Sequence, residues 1–243
     1  MGEEFRRFEF KYPIREQLIP AIRNHLVRYG MQHSAGAFGN ERNAYTVTSL
    51  YFDTPERMDY EDKSGGILER KKVRIRIYDS ALKNDTKALF IEKKMKYDML
   101  VHKVRTALSI EEYDAIQRGN WHTLRNRCEH DGILHNISRS ILREGAKPHI
   151  IVQYEREPLM SPHQPHFRIT FDSNLTACKS PDLRYTARTR RIAPGWAVME
   201  LKYDMFLPAW FRTVPVDFDL CRDTYSKYAL ALEAVRQFYP IPR

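Results

Sequence analysis

The sequence is poor in cysteine and has no long hydrophobic run. Its three cysteines, Cys128, Cys178 and Cys221, are far apart, odd in number and without a CxxC pair. This argues against a disulfide framework and a zinc site, and it fits a reducing compartment. No stretch approaches the roughly eighteen consecutive apolar residues of a membrane-spanning helix. The first twelve residues, MGEEFRRFEFKY, lack the apolar segment of a signal peptide, so we expect a cytoplasmic protein.

The common catalytic signatures are also missing. There is no GxxxxGK[ST], GxSxG, HExxH or kinase motif, which excludes the usual nucleotide-binding loop, the nucleophile elbow and the zinc-protease helix. The nine histidines do not recur at metal-ligand spacing, and His163 and His166 lie in a proline-rich turn that we expect at the surface. Gly65 and Gly66 predict a plain hairpin turn.

The charge is strongly unbalanced. The chain has 40 Lys and Arg against 31 Asp and Glu, a formal net charge of +9. Such an excess implies a polyanionic partner, which could be nucleic acid, a phosphate chain or an acidic membrane surface. Hydrophobic residues make up 42% of the chain, enough for a core, and no composition shift marks a linker. We therefore expect a single domain over residues 1–243.

Hydrophobic periodicity predicts about eight strands with helices between them. Helices are predicted over Glu16–Arg28, from Ser109 to about Arg143 with a capping box at Glu112, and over Thr224–Phe238. The predicted strands are Arg6–Tyr12, Tyr45–Asp53, Lys71–Tyr78, Ala88–Lys96, Leu100–Thr106, His149–Glu157, Phe167–Asp172 and Ala197–Tyr203.

The charged residues alternate with apolar ones inside these strands. In the clearest case, Lys72, Arg74 and Arg76 lie on one face and apolar residues on the other. An open sheet with such a face would be a large basic plate with unprotected edges, and closing the sheet removes the edges. The expected fold class is therefore α+β, an antiparallel eight-stranded β-tunnel flanked by helices. We expect the aromatic residues of these strands to pack in the core: Tyr45, Tyr51, Phe52, Phe90 and Phe171.

A tunnel lined in this way needs an anion of high charge density. Each close pair of like charges costs about 4 kcal/mol at an effective dielectric constant near 20. The few acidic residues of the set, Glu9, Glu92, Asp172 and Glu200, cannot neutralise the cations. Phosphate chains fit, because Arg and Lys bind phosphate oxygens by charge-assisted hydrogen bonds. The carboxylates are then suited to a hard cation such as Mg²⁺ or Mn²⁺.

Nine segments of the sequence carry a resemblance to a known family. They are RFEFKY, YTVTSLYFDT, RKKVRIRIY, LFIEKKMK, HKVRTAL, QYERE, FRITFD, AVMELKY and TYSKYALAL. In this order they resemble the catalytic domain of the vacuolar transporter chaperone (VTC) family, a branch of the triphosphate tunnel metalloenzymes, from about Phe5 to Leu232. Related tunnel hydrolases and cyclases often start with two glutamates before the first lysine, whereas this chain has Arg7, which favours the VTC branch.

The resemblance implies roles for most of the candidate residues, and the charge alternation within the strands adds Glu9, Glu92, Lys94 and Arg105. Lys11, Arg74, Arg76 and Lys202 are predicted to act directly on the triphosphate, with Mn²⁺ or Mg²⁺ held by Glu200, Glu9 and Glu92. Further phosphate-binding residues are predicted at Lys94, Lys103, Arg105, Arg156, Arg168, Ser226 and Lys227.

The implied activity is a polyphosphate polymerase that transfers the γ-phosphate of ATP to a growing chain. The implied partners are ATP or another triphosphate and inorganic polyphosphate. Since the sequence has no membrane-spanning stretch, any membrane coupling is expected to come from a membrane-protein partner. A tripolyphosphatase or nucleoside triphosphatase, and a non-catalytic polyphosphate-binding module, stay open as alternatives. We expect no nucleic-acid ligand, because that reading requires an open basic groove with exposed aromatic residues.

Overall fold

Antiparallel strands form the framework of the fold. The computed structural model describes residues 2–34, 36–41, 43–186 and 189–238, and the strands of these ranges join in one sheet. The strands are β1 (Glu3–Arg15), β2 (Gln32–His33), β3 (Tyr45–Asp53), β4 (Glu69–Ile77), β5 (Leu89–Tyr97), β6 (Leu100–Ala107), β7 (Lys147–Ser161), β8 (Gln164–Cys178), β9 (Arg190–Arg191) and β10 (Trp196–Tyr203).

The eight long strands close into a ring. Their order is β7-β3-β4-β5-β6-β1-β10-β8, and β8 pairs again with β7. The two-residue strands β2 and β9 pair with β7 and β8 outside the ring. Closure gives each long strand a partner on both sides, which removes the open edges that favour aggregation. The predicted eight-stranded antiparallel tunnel is therefore confirmed.

Seven helices accompany the ring within the described ranges. The predicted capping box is present, since Ser109 accepts a hydrogen bond from the Glu112 backbone and Glu112 accepts one from the Ser109 backbone. No helix in those ranges is long and apolar enough to span a membrane. The helices are α1 (Ile19–Arg28), α2 (Met58–Ser64), α3 (Ile110–Gln117), α4 (Arg125–His130), α5 (Gly132–Glu144), α6 (Thr213–Asp217) and α7 (Lys227–Phe238).

Two apolar cores lie outside the ring. The outward residues of β4, Val73, Ile75 and Ile77, are buried in one cluster with side chains of α3 and α5. A second cluster joins α1 and α6 to the outward faces of β1, β8 and β10. Each fully buried aliphatic side chain contributes roughly 1.5–3 kcal/mol. As predicted, helices cover the apolar set of the strands.

A third apolar core lies inside the ring, which the alternation did not predict. Tyr51 of β3 is paired with Arg74, so both share the inner face. The ring of Tyr228 lies 5.1 Å from the ring of Tyr51, and Ala231 and Leu232 are buried in the same cluster. Helix α7 therefore packs against the inner face of β3, β7 and β8, and the remaining strands line an open channel.

One turn differs from its prediction. Residues 63–66 do not form a plain hairpin turn, because Lys63 and Ser64 end helix α2, Gly65 caps it and Gly66 follows at φ 72°. The helix is too short for its periodicity to show in the sequence. By contrast, a hairpin does join β5 and β6, with its turn at Asp98 and Met99.

Candidate functional site

The ring encloses a cavity of about 1060 Å³. Seventeen lysines and arginines line it against four aspartates and glutamates, so the interior is strongly cationic. The predicted inward orientation of the charged residues is confirmed, while their chemical roles stay predictions. All predicted site residues except Glu92 line the cavity: Lys11, Arg74, Arg76, Lys94, Lys103, Arg105, Arg156, Arg168, Lys202, Ser226 and Lys227, with the carboxylates of Glu9 and Glu200.

Strand register explains why these side chains meet. Along β4 and β5, Lys72 is opposite Lys94 and Arg74 is opposite Glu92. Directly opposed residues of an antiparallel pair project to the same face, and every second residue repeats that face. The same rule continues around the ring, where Lys11 of β1 is opposite Glu200 of β10. Distant segments of the chain thus contribute alternate charges to one cavity.

Glu92 forms ion pairs with one group of lining cations, from behind the cavity wall. Its side chain is fully buried, and its carboxylate lies 2.7 Å from Arg74 and 3.2 Å from Lys103. Arg76 and Arg105 approach within 3.8 and 3.9 Å. Burial raises the pKa of Glu92, but Arg74 and Arg76 outweigh it and hold the pKa well below its ordinary value. Glu92 does not line the cavity, so the structure places it as a positioning residue for these cations.

Glu200 forms ion pairs with a second group of lining cations, and its side chain faces the cavity. Its carboxylate lies 2.7 Å from Lys227 Nζ, 3.0 Å from Lys202 Nζ, 3.3 Å from Arg156 Nη2 and 3.7 Å from Lys11 Nζ. Burial raises the pKa of Glu200, but these cations, Lys227 first, hold it well below its ordinary value. Glu200 is therefore a charged carboxylate at neutral pH, placed where a ligand can reach it.

The first residue of α7 ties that helix into the tunnel. Lys227 Nζ lies 2.6 Å from the fully buried Asp172 as well as 2.7 Å from Glu200. Asp172 also accepts two hydrogen bonds from Arg156, at 2.6 and 2.7 Å. Burial lowers the pKa of Lys227, but Asp172 and Glu200 raise it well above its ordinary value. These bonds explain why a helix that packs through its apolar face begins inside a charged channel.

Two of the carboxylates fit a divalent ion and one does not. Glu9 and Glu200 both line the cavity, and the charge of Glu200 acts on the pKa of Glu9. Among the described residues, no group of three or more Asp, Glu, His or Cys side chains could hold a metal by itself. Mg²⁺ is commonly bound by one or two carboxylates together with phosphate oxygens. Glu9 and Glu200 match that donor set, whereas Glu92 is shut off from the cavity.

The carboxylates of the site neutralise the lining cations only in part. Within the described part of the chain, Arg168 has no ion pair, and its buried Nε has no hydrogen-bond partner. Burial, and then Lys11, lowers the pKa of Lys72 to about 7. Burial likewise lowers the pKa of Lys103 to about 7 and that of Lys11 to about 8. The lining is therefore short of negative charge, and an anion would relieve it.

Tyrosines in the lining correct the sequence prediction. Tyr45 and Tyr51 line the cavity rather than only packing in the core, and they accept hydrogen bonds from Arg168 at 3.2 Å and Arg74 at 3.0 Å. Up to Asp53 both faces of β3 mix apolar residues with uncharged hydroxyl residues, so alternation could not tell which face turns inward. The structure adds Tyr78 and Tyr154 to the lining, while Phe52 and Phe171 are core residues as predicted.

Comparison with known protein families identifies a match for this chain. The profile of the VTC domain matches residues 6–236, which is nearly the whole chain. The comparison with curated proteins finds no match.

A solved structure shows the same fold at low sequence identity. The PH1819 protein of Pyrococcus horikoshii OT3 has a TM-score of 0.51 and 12% identity, covering 93% of this chain and 98% of that one. A Bacillus halodurans protein named provisionally as an adenylate cyclase has a TM-score of 0.45 and 11% identity, covering 99% and 92%. The likeness to the Pyrococcus protein concerns the fold alone. The match over residues 6–236 shows that this chain belongs to the VTC domain family.

Proposed function

We propose that this chain is a metal-dependent phosphotransferase that lengthens inorganic polyphosphate with the γ-phosphate of ATP. The observation that carries the proposal is the cavity inside the ring of strands, with seventeen cationic and four acidic side chains in its lining. Such a lining is best neutralised by a compact polyanion, and Arg and Lys bind phosphate by charge-assisted hydrogen bonds. The VTC family includes enzymes, which agrees with a catalytic role.

Four arginines from three strands are suited to hold the triphosphate: Arg74 and Arg76 of β4, Arg156 of β7 and Arg168 of β8. In the reaction, a terminal oxygen of the polyphosphate chain attacks the γ-phosphorus in line. The bond from that phosphorus to the β–γ bridging oxygen breaks, and ADP leaves. Phosphoryl transfer depends mainly on positioning and charge neutralisation. A Ser, Cys or His nucleophile is therefore not needed.

Glu200 and Glu9 would hold the divalent ion together with phosphate oxygens. A bound Mg²⁺ or Mn²⁺ supplies positive charge to the attacking and leaving oxygens. The chain's own part is to keep the carboxylates charged. Lys227 and Lys202 do this for Glu200 by holding its pKa low, and Lys94 and Lys202 do it for Glu9.

The products formed from ATP test the proposal. We would incubate the pure protein with ATP and Mn²⁺, then resolve the products on a polyphosphate gel and measure orthophosphate. The proposal expects a lengthening chain that disappears when EDTA removes the metal. Orthophosphate alone would indicate a hydrolase with water as the acceptor, and triphosphate binding without turnover would indicate a binding module; either result overturns the polymerase assignment.

Matched arginine variants show whether the tunnel performs the reaction. Arg74 lines the cavity, whereas Arg125 lies outside it with a side chain 82% exposed. Arg74→Gln should lose most of the turnover, since a charged hydrogen bond contributes roughly 1.5–3 kcal/mol. Arg125→Gln removes the same charge from the surface and should leave turnover unchanged. Equal activity of both variants would contradict catalysis inside the tunnel.

A further inference from the structure

The two ends of the tunnel differ in chemistry. On the β4–β5 pair, Arg70 is opposite Lys96 at one end, and Arg76 is opposite Phe90 at the other, with Tyr78 directly after β4. At about 3.3 Å per residue, Arg70 and Tyr78 are roughly 25 Å apart along the strand. We call the end lined by Lys63, Arg70, Lys96 and Arg222 the basic mouth, and the end formed by Phe5, Phe38, Tyr45 and Tyr78 the aromatic mouth.

The aromatic mouth presents packed rings to the cavity. Tyr45 and Tyr78 line the cavity, with ring centroids 5.7 Å apart in an edge-on arrangement. Phe38 stacks on Tyr78 at 4.9 Å, and yet 43% of its surface is exposed. Phe38 itself does not line the cavity, but it places a partly exposed ring beside the lining residue Tyr78, and this ring offers a face to a further flat ring.

The arginines of the lining connect these rings to the phosphate site. Arg168 donates from Nη2 to the Tyr45 hydroxyl at 3.2 Å, and Arg105 donates from Nη1 to the Tyr78 hydroxyl at 3.3 Å. The Nε of Arg168 is buried without a hydrogen-bond partner among the described residues. A phosphate bound by Arg168 would therefore lie beside the tyrosine rings, and the group attached to it would lie at the mouth.

We propose that the aromatic mouth binds the base of a nucleoside triphosphate by stacking, with the triphosphate directed into the tunnel. This inference rests on the proposed function and adds the orientation of the substrate to it. The basic mouth suits the base less well, because the guanidinium of Arg222 covers the Phe10 ring there at 4.6 Å. The growing phosphate chain then extends toward Lys63, Arg70 and Lys96. Stacking accepts any base, so ATP and GTP should bind with similar affinity.

Binding of ATP and of methyl triphosphate, which carries the same phosphates without a nucleoside, tests the orientation. We would measure both by calorimetry in EDTA, where metal-dependent turnover does not run. Because stacking on an aromatic side chain contributes about 1–3 kcal/mol, ATP should bind roughly 5- to 150-fold more tightly than methyl triphosphate. Phe38→Ala should weaken ATP binding at least about fivefold by the same reasoning and leave methyl triphosphate unchanged. Phe38→Trp should keep the preference for ATP.

Two further variants make the result decisive. Phe206 is 81% exposed and, unlike Phe38, makes no ring contact with a lining tyrosine, so Phe206→Ala should bind both ligands as the wild type does. Leu68 lies at the basic mouth, and an ATP-selective loss in Leu68→Ala would place the base at that end and overturn the inference. Equal affinity of the wild type for the two ligands would also overturn it, even if Mn²⁺-dependent turnover is intact. Failure of both ligands to bind would instead overturn the proposed function.

Discussion

Glu92 and Glu200 are two buried carboxylates in almost the same electrostatic surroundings. Each lies within 3.9 Å of four cationic groups, and in each the pKa is held well below its ordinary value by those cations against the effect of burial. They differ in access, because Glu200 lines the cavity and Glu92 does not. The comparison separates a carboxylate that organises the lining from one that can also meet a ligand.

The partners of the two carboxylates differ as well. Within the described ranges, Arg74, Arg76 and Lys103 have no carboxylate partner other than Glu92. Around Glu200, by contrast, Arg156 and Lys227 are also bound to Asp172. Loss of Glu92 would leave these three cations without a carboxylate partner. Loss of Glu200 would leave Arg156 and Lys227 still paired with Asp172. The two positions should therefore respond differently to the same substitution.

The largest effect is expected from Glu92→Gln. Removing one partner of a buried ion pair typically costs 3–5 kcal/mol, since the remaining charge is left without compensation, and we expect a loss of about that size here. Urea unfolding followed by circular dichroism would measure it as a fall in the free energy of unfolding.

Glu200→Gln is the matched control for that experiment. It removes the same charge, but Asp172 remains and water in the cavity can hydrate the freed lysines. We expect less than half the loss of unfolding free energy seen for Glu92→Gln. Equal losses for the two variants would remove the distinction between them.

Ligand stabilisation should come next in size. A ligand that binds only the folded state stabilises it by about 2.7 kcal/mol at a hundred times its dissociation constant. Tripolyphosphate should raise the melting temperature of the wild type clearly, and sulfate at equal ionic strength should do less. Glu200→Gln should gain at least as much from tripolyphosphate in EDTA, because a repulsive carboxylate is gone from the cavity. Equal shifts from the two salts would indicate ordinary screening.

Substitution of Arg168 should weaken triphosphate binding without lowering the free energy of unfolding. It has no ion pair among the described residues, so Arg168→Gln strands no carboxylate. Hydrogen bonds to charged groups contribute about 1.5–3 kcal/mol, so triphosphate affinity should fall roughly 10- to 150-fold. Arg156→Gln should also destabilise the fold, because Asp172 loses two hydrogen bonds. Calorimetric titration and urea unfolding of both variants would show the contrast, and unchanged affinity in Arg168→Gln would contradict a phosphate contact.

The smallest effect concerns the protonation of Lys72. Burial lowers its pKa to about 7, so the folded protein loses this proton near pH 7 while the unfolded chain keeps it to about pH 10. The cost of burying the charge is therefore full below pH 7 and falls as the pH rises from 7 to 10. Phosphate bound next to Lys72 should restore its proton, so the protein should take up protons when it binds tripolyphosphate at pH 8. Lys72→Met should reduce that uptake by roughly one proton in titrations that compare buffers of different ionisation enthalpy. An unchanged uptake would place the titrating group elsewhere.

The sequence made part of this site predictable for a specific reason. The strict alternation around Arg74 and Arg76 shows which face carries charge, and nine ordered motifs identified the family. Alternation does not show how deeply a side chain is buried behind its neighbours, so it could not separate the buried Glu92 from the cavity-facing Glu200. It also failed for Tyr45 and Tyr51, because no charged residue before Asp53 distinguishes the two faces of their strand. The position of α7 depends on bonds from Lys227 to residues of two distant strands, which no local pattern records.

The turnover of Glu200→Gln tests the central claim most directly. The substitution keeps the side-chain shape and the cationic lining, and it removes one carboxylate that we propose as a ligand of the metal. Mn²⁺-dependent consumption of ATP should fall by something like two orders of magnitude, about 2.7 kcal/mol in the barrier, while triphosphate binding in EDTA is retained or tightened. Full Mn²⁺-dependent turnover in the variant would contradict the role of Glu200 and leave Glu9 as the remaining carboxylate of the pair.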